Sequence, residues 1–546
     1  MPTVTLNRGV FEKLVGKKFS DEQLKERISM LGTDLDSLDK NEIQVEIFPN
    51  RPDLLSEQGF ARAFSSFTGV KTGLKKYDVK KSGHKVIVDK SVSMRPYSVC
   101  ALVKNIKFTD ERIRETMQVQ EKLSTTHGRG RKKSEYGVYP SYNIKFPIRY
   151  VAKDPKTVTF TPLGFDKPMT GDKVEQVHPT GKEYHHIAKD WTLYPFFMDS
   201  EDKVLSMLPY TNSNDMGKVE ESTKEVFIEC TGMDLQNVQI ALNIIVTTLA
   251  DMGGEIYSTD MVYPDKTITT PNLEPSKLKV DLSYVNKKLG FKLTESDLRK
   301  LLERMGYGYE KNHALVPAYR GDILHQIDLV EDIAIAYGYE NIPEVIPKVA
   351  TIAEENKFEK FMKRVAEILV GLGLIECETY HITSMDNQTK LMNVKIEVIE
   401  LGNALNLEYS VLTSWKIPLL MEVLQNNKHH EYPQNIFTIG TIFKKGNSDT
   451  GVIENDRIAC LLCGEDVDYT RIRQALDYLL RMLDLEYKIE ETEHSSFIPG
   501  RVGRVIVKNK KVAYIGEIAP GVLKNWELEM PVAGFELNLS ELYSLI

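Results

Sequence analysis

One segment of this 546-residue chain occurs twice. Gly16-Lys17-Lys18-Phe19-Ser20 opens a stretch that closes at Met30-Leu31-Gly32, and Gly290-Phe291-Lys292-Leu293-Thr294 opens another that closes at Arg304-Met305-Gly306. The offset is 274 (290 less 16) and holds across the whole segment. A repeat constrains the fold strongly, because each copy has to form the same supersecondary unit. Each copy predicts an amphipathic helix. Ser20 and Thr294 are N-caps, with Gln23 and Asp297 three residues on in capping-box positions. Leu24, Ile28, Leu31 and Leu298, Leu302, Met305 recur at helical spacing, and Gly32 and Gly306 stand where a left-handed C-cap is wanted. Arg51-Pro52-Asp53-Leu54-Leu55 then matches Arg320-Gly321-Asp322-Ile323-Leu324 at an offset of 269 (320 less 51), each followed by a second helix closing at Gly69 and Gly338. The reading is one small α+β module used twice. The alternative is a chance likeness between capped helices, since caps and helical spacing are common.

The copies differ in acidity. The second carries Asp322, then Asp328, Glu331 and Asp332 at i, i+3 and i+4, on one helix face. The first has Gly59, Arg62 and Ala63 at the last three places, so the module folds without the acids. Like charges on one face are unfavourable unless a cation or a basic partner neutralises them. Magnesium suits such a set because it prefers carboxylate oxygen. A solvated acidic face is the other reading of the same spacing.

The chain is 42% hydrophobic and 27% charged, enough apolar material for several cores. A net charge of -8 excludes a histone-like coat for nucleic acid but leaves local basic surfaces open. Five cysteines without a paired framework suit a reducing cytosol, and the start of the chain lacks a secretion-signal pattern, so a cytoplasmic location is expected. The most apolar stretch, residues 240–250, is too short to span a bilayer, and no membrane association is expected.

Residues 92–233 show short apolar runs between turn residues, with strands predicted at 99–103, 158–160, 204–207 and 226–228 and a helix at 110–123. After that helix come His127-Gly128-Arg129-Gly130-Arg131-Lys132-Lys133, a loop able to hold a phosphate backbone or simply be solvated. His178, His185 and His186 lack zinc-site spacing, and Cys460-Leu461-Leu462-Cys463 reads as strand packing. Asn212-Ser213-Asn214-Asp215 and Glu229-Cys230-Thr231-Gly232 punctuate the strands, and Glu229 and Thr231 point to one side. The C-terminal third predicts an amphipathic helix at 357–374, a helix at 469–483 and strands at 396–401, 436–443, 458–462, 502–507 and 512–518. That is an α+β domain on a mainly antiparallel sheet.

These residues together resemble the β subunit of the archaeal and eukaryotic phenylalanine–tRNA ligase. The N-terminal likeness is in Val45-Glu46-Ile47-Phe48-Pro49-Asn50-Arg51-Pro52-Asp53. The middle is matched by His178-Pro179, Gly181, Glu183-Tyr184, Val204-Leu205-Ser206-Met207 and Glu229-Cys230-Thr231-Gly232. Later matches are Arg320-Gly321-Asp322, Asp328-Leu329, Glu331-Asp332, Tyr409-Ser410-Val411-Leu412 and Phe497-Ile498-Pro499-Gly500-Arg501.

The resemblance implies an α+β multidomain chain with modules at residues 1–75 and 270–348 flanking an editing-like domain at 90–255. A class II synthetase-like, non-catalytic core follows at 356–546. It implies an α2β2 assembly with the α subunit, a phenylalanine tRNA as partner, and Mg²⁺ on Asp322, Asp328, Glu331 and Asp332. It further implies hydrolysis of mischarged tyrosyl-tRNA, for which Glu229 and Thr231 read the hydroxyl or place water, with Ser206 and Ser213 near them. The chain departs from the family pattern at Tyr139-Pro140-Ser141 and at Tyr210-Thr211. Residues 436–443 contain no arginine, and Ala533-Gly534-Phe535-Glu536-Leu537 replaces an arginine-bearing strand, so ATP chemistry is expected on α.

Overall fold

The computed structural model describes residues 2–216, 218–350 and 353–546. The chain divides into two compact units, Met1–Ile346 and Pro347–Ile546.

The first unit contains the two modules. Strand Thr3–Asn7, helices Arg8–Val15 and Asp21–Met30, strands Asp34–Leu38 and Glu42–Glu46 and helix Glu57–Phe67 make the first. Strand Ser276–Lys279, helices Leu282–Leu289 and Glu295–Arg304, strands Gly308–Glu310 and His313–Val316 and helix Gln326–Tyr337 make the second. In both, the last strand of the antiparallel sheet lies between the other two. Both capping boxes close: Ser20 and Thr294 accept from the backbone of Gln23 and Asp297, whose side chains accept in return. The Arg-x-Asp sequences make matching forks. Arg51 donates from Nε and Nη2 to Asp53 at 2.9 Å each, and Arg320 donates likewise to Asp322 at 2.8 and 2.7 Å.

Between the modules runs a mixed sheet of ten strands. Its path ends on one side with Val204–Met207 and Thr211–Asn212, and on the other with Tyr97–Lys104, Val226–Gly232 and Ser134–Pro140. Alternation assigns the faces. Val99, Ala101, Val103, Val226, Ile228 and Cys230 pack with Val238, Leu242, Ile245 and Leu249 of helix Leu235–Asp251. Cys100, Leu102 and Phe227 turn the other way, to Tyr150, Phe197 and Leu205. The apolar stretch 240–250 therefore belongs to a central helix buried on most sides. Among the described residues no helix is long and apolar enough to cross a membrane. One hydrophobic core runs from Val4 to Ala336, so the three N-terminal regions read from the sequence pack as one body.

The second unit is a seven-stranded sheet, antiparallel except where Ile375–Glu376 pairs with Gln434–Lys445. Helices Lys357–Gly371 and Tyr469–Met482 cover one face, through Val365, Leu369, Ile472 and Leu476 packed on Phe437, Ile458 and Phe535. Helices Ile417–Asn426 and Pro520–Asn525 cover part of the other. Cys460 and Cys463 are buried free thiols in different cores, which fits the packing reading. Of the predicted strand at 396–401 only Ile399–Glu400 forms, in a separate three-stranded sheet.

Candidate functional site

Strand Val226–Gly232 presents Glu229 between Gly137 and Cys100 of its two neighbours. The Ser206 hydroxyl, from the far end of the sheet path, donates to Glu229 Oε1 at 2.9 Å. Side chains from the two ends of the sheet thus meet at this carboxyl. Glu229 is 1% exposed and Ser206 fully buried, and the carboxyl's second oxygen and the Tyr139 hydroxyl make no well-formed hydrogen bond, although the hydroxyl lies near enough to the carboxyl to act on it. Burial raises the Glu229 carboxyl from its ordinary 4.5 to about 8, against the opposing pull of the Tyr139 and Ser206 hydroxyls. At neutral pH it is held mainly as the acid. Gly137 makes room for it, since a β-carbon there would stand 2.9 Å from Glu229 Oε1 and 3.1 Å from the Tyr139 ring.

The other two candidates have other partners. Thr231 accepts from Arg95 Nε at 3.1 Å through its hydroxyl and from Arg95 Nη2 at 3.3 Å through its carbonyl. Ser213 is buried, and its hydroxyl accepts from the Asp215 amide at 3.2 Å. Asp215 lines a cavity of about 330 Å³ with Tyr142, Asn143 and Met216. The structure thus joins Ser206 to Glu229 but gives Thr231 and Ser213 structural contacts instead of an open face. Arg95, 1% exposed, organises this end of the sheet and has no local sequence signature, because its partners Thr231 and the Arg131 carbonyl lie 136 and 36 positions away. A glycine inside a strand run was the one cue to Gly137.

The four acids of the second module do not meet at a point. Asp322 is forked to Arg320, whose Nη2 also donates to Asp332 at 2.9 Å, and the Tyr307 hydroxyl donates to the same Asp332 oxygen. Asp328 accepts from the Leu324 and His325 amides at 2.8 Å each, capping its helix. Glu331 accepts from the Tyr339 hydroxyl. Among the described residues no three His, Cys, Asp or Glu side chains are arranged to hold a metal ion. The expected Mg²⁺ set does not fit this arrangement, in which a basic partner, Arg320, supplies the neutralisation for two of the acids. Dialysis of the purified chain against EDTA is expected to leave its melting temperature unchanged; a fall reversed by added magnesium would show that the acids regroup around the ion.

Two sequence profiles and full-length relatives place this geometry. Residues 278–339 match the family described as "tRNA synthetase B5 domain" and residues 342–539 that described as "Phenylalanyl tRNA synthetase beta chain CLM domain". The phenylalanine–tRNA ligase β subunit of Pyrococcus abyssi is 40% identical over 556 residues, covering 100% of both chains. The chain belongs to the phenylalanine–tRNA ligase β-subunit family. The Archaeoglobus fulgidus β subunit is 37% identical over 552 residues, covering 100% of this chain and 99% of the relative. The crystal structure of an N-terminal fragment of the Pyrococcus horikoshii phenylalanyl-tRNA synthetase β subunit is similar at a TM-score of 0.59 and 38% identity, over 62% of this chain and 100% of that one.

The basic loop of this family member divides in use. Arg131 is built in: it donates to Glu135, to the Pro209 and Tyr210 carbonyls, and stacks 4.3 Å from the Tyr184 ring centre. Arg129 and Lys132 stay exposed and are available to a phosphate backbone. Elsewhere in the first unit a cavity of about 1210 Å³ is lined by Arg51, Arg62, Glu57, Asp251 and Tyr319, among others, and by none of the four editing candidates.

Proposed function

We propose that this chain is the β subunit of a phenylalanine–tRNA ligase, supporting ATP-dependent attachment of phenylalanine to its tRNA in an α2β2 assembly whose synthetic active site lies on α. Likeness to such β subunits along the whole chain carries the reading. The second unit has apolar side chains suited to a partner: Val370, Ile375, Tyr380, Leu405 and Leu407 are all exposed, the last two almost completely.

In the middle of the first unit we further propose that Glu229 reads the phenolic hydroxyl of tyrosine wrongly attached to the tRNA, leading to its hydrolysis. The supporting observation is a buried acid whose second oxygen makes no well-formed hydrogen bond, with the Tyr139 hydroxyl beside it. A group with unused bonding capacity binds a hydroxyl and rejects the analogue lacking it, because phenylalanine would leave the buried acid unpaired. A second reading, a tRNA-binding scaffold without hydrolysis, is favoured by one observation: Glu229, Thr231, Ser206 and Ser213 are each at most 1% exposed.

Co-purification with an α subunit tests both. The complex is expected to charge phenylalanine and to deacylate tyrosyl-tRNA while sparing phenylalanyl-tRNA. Full charging by α without this chain would sink the subunit role, and charging without deacylation would leave the scaffold reading.

A further inference from the structure

The strands where the sequence lacks ATP-binding arginines lie on a face that is rich in cations from their neighbours. Arg457, Glu536, Tyr514 and Arg504 stand on four adjacent strands and alternate to the face opposite the Phe437–Phe535 core. Arg457 Nη1 donates to Glu536 Oε1 at 2.9 Å. Glu536 Oε2 is occupied by the backbone amides of Lys416 and Ile417 at 2.8 and 3.1 Å. The Lys416 side chain reaches over Gly440, its ammonium 2.8 Å from where a β-carbon would stand.

Lys416 is 1% exposed, yet among the described residues its ammonium has neither hydrogen bond nor ion pair. Lys444 lies at the same face near Arg457 and Glu536, and Arg504 stacks 4.0 Å from the Tyr514 ring centre. Of these four cations only Arg457 has an ion-pair partner among the described residues, and its Nε is buried without a partner. Asp456, the other nearby acid, accepts from Thr441 at 2.8 Å. Partial desolvation and repulsion from Arg457 hold Lys444 below the ordinary lysine range, and burial lowers Lys416, against the pull of Glu536 and Asp456, and Arg504. Arg504 also donates to the Lys511 carbonyl at 3.1 Å, but gathering four cations with a single ion pair among them costs stability that a multiply charged anion would restore.

We infer that this face of the second unit binds a phosphate-bearing anion of pyrophosphate or nucleotide size, held by Lys416, Lys444, Arg457 and Arg504. A single carboxylate would leave most of the cations unmatched, whereas phosphate oxygens suit both guanidinium forks and ammonium points. The proposal is for binding and adds no chemistry, so it stands apart from the site of phenylalanine activation.

Calorimetry of the full chain with inorganic pyrophosphate at fixed ionic strength tests it. One pyrophosphate per chain is expected, bound at least about tenfold more tightly than sulfate. Lys444→Met with Arg504→Met, at positions outside the Glu536 contacts that hold the helix start, is expected to weaken binding about tenfold or more. Circular dichroism of that variant should match the parent. Displacement by ATP would identify a nucleotide as the source of the phosphate; persistence of pyrophosphate against excess ATP would identify an inorganic polyphosphate. Pyrophosphate binding no tighter than sulfate, or undiminished in the folded double variant, would overturn the inference.

Discussion

Glu229→Gln is expected to stabilise the first unit at neutral pH while removing discrimination for tyrosyl-tRNA. In the folded chain the carboxyl titrates near 8, against 4.5 as its ordinary value. As pH rises between those values the unfolded chain releases its proton and the native chain keeps it, so stability falls with rising pH. Glutamine has no such proton to lose. The variant should match the parent near the lower value and exceed it by roughly 3 kcal/mol at neutral pH, with the gap widening until the native carboxyl ionises. Urea unfolding at two pH values measures this; a pH-independent difference would show that Glu229 is not a buried acid. Tyrosyl-tRNA deacylation by the same variant with α should fall by about tenfold to a hundredfold, the size of losing one buried hydrogen bond. A stability gain paired with lost function is the pattern of a functional site. Stabilisation with hydrolysis intact would assign Glu229 to structure alone.

Arg320→Met should be among the most damaging single changes in the second module. Its guanidinium neutralises Asp322 and Asp332, and Asp332 lies 6% exposed beneath the Tyr307 hydroxyl. Removing one member of a buried ionic group leaves uncompensated charge, at about 3–5 kcal/mol. Adding Asp322→Asn and Asp332→Asn should recover much of that loss, because the penalty comes from the stranded carboxylates. If the triple variant is no more stable than Arg320→Met, packing of the arginine stem rather than charge explains the effect. Arg51→Met in the first module should behave similarly but less severely, since among the described residues Arg51 is forked to one carboxylate, Asp53.

Both predictions rest on groups that differ in how visible they were in the sequence. The capping boxes at Ser20 and Thr294 and the forks at Arg51 and Arg320 join residues two or three positions apart, so residue type and spacing define them. The acidic face of helix Gln326–Tyr337 was equally visible as a pattern. In the structure Arg320 bridges Asp322 and Asp332 while Tyr339 and two backbone amides hold Glu331 and Asp328, an arrangement that does not converge on one metal position. Thr231 was placed on the right side of its strand, where Arg95, from another part of the chain, donates to its hydroxyl.

By itself, then, the sequence determined the duplicated module, the helices with clear caps or apolar periodicity, several long strands, and the family, because capping, periodicity and linear motifs act over a few residues. Tertiary structure alone decided that three of the expected regions share one core, that Ser206 meets Glu229 within an enclosed site, and that Arg457 and Arg504 stand beside arginine-poor strands. Those outcomes depend on sheet order and register, which bring residues far apart in sequence to the same face and set which charges are left without partners.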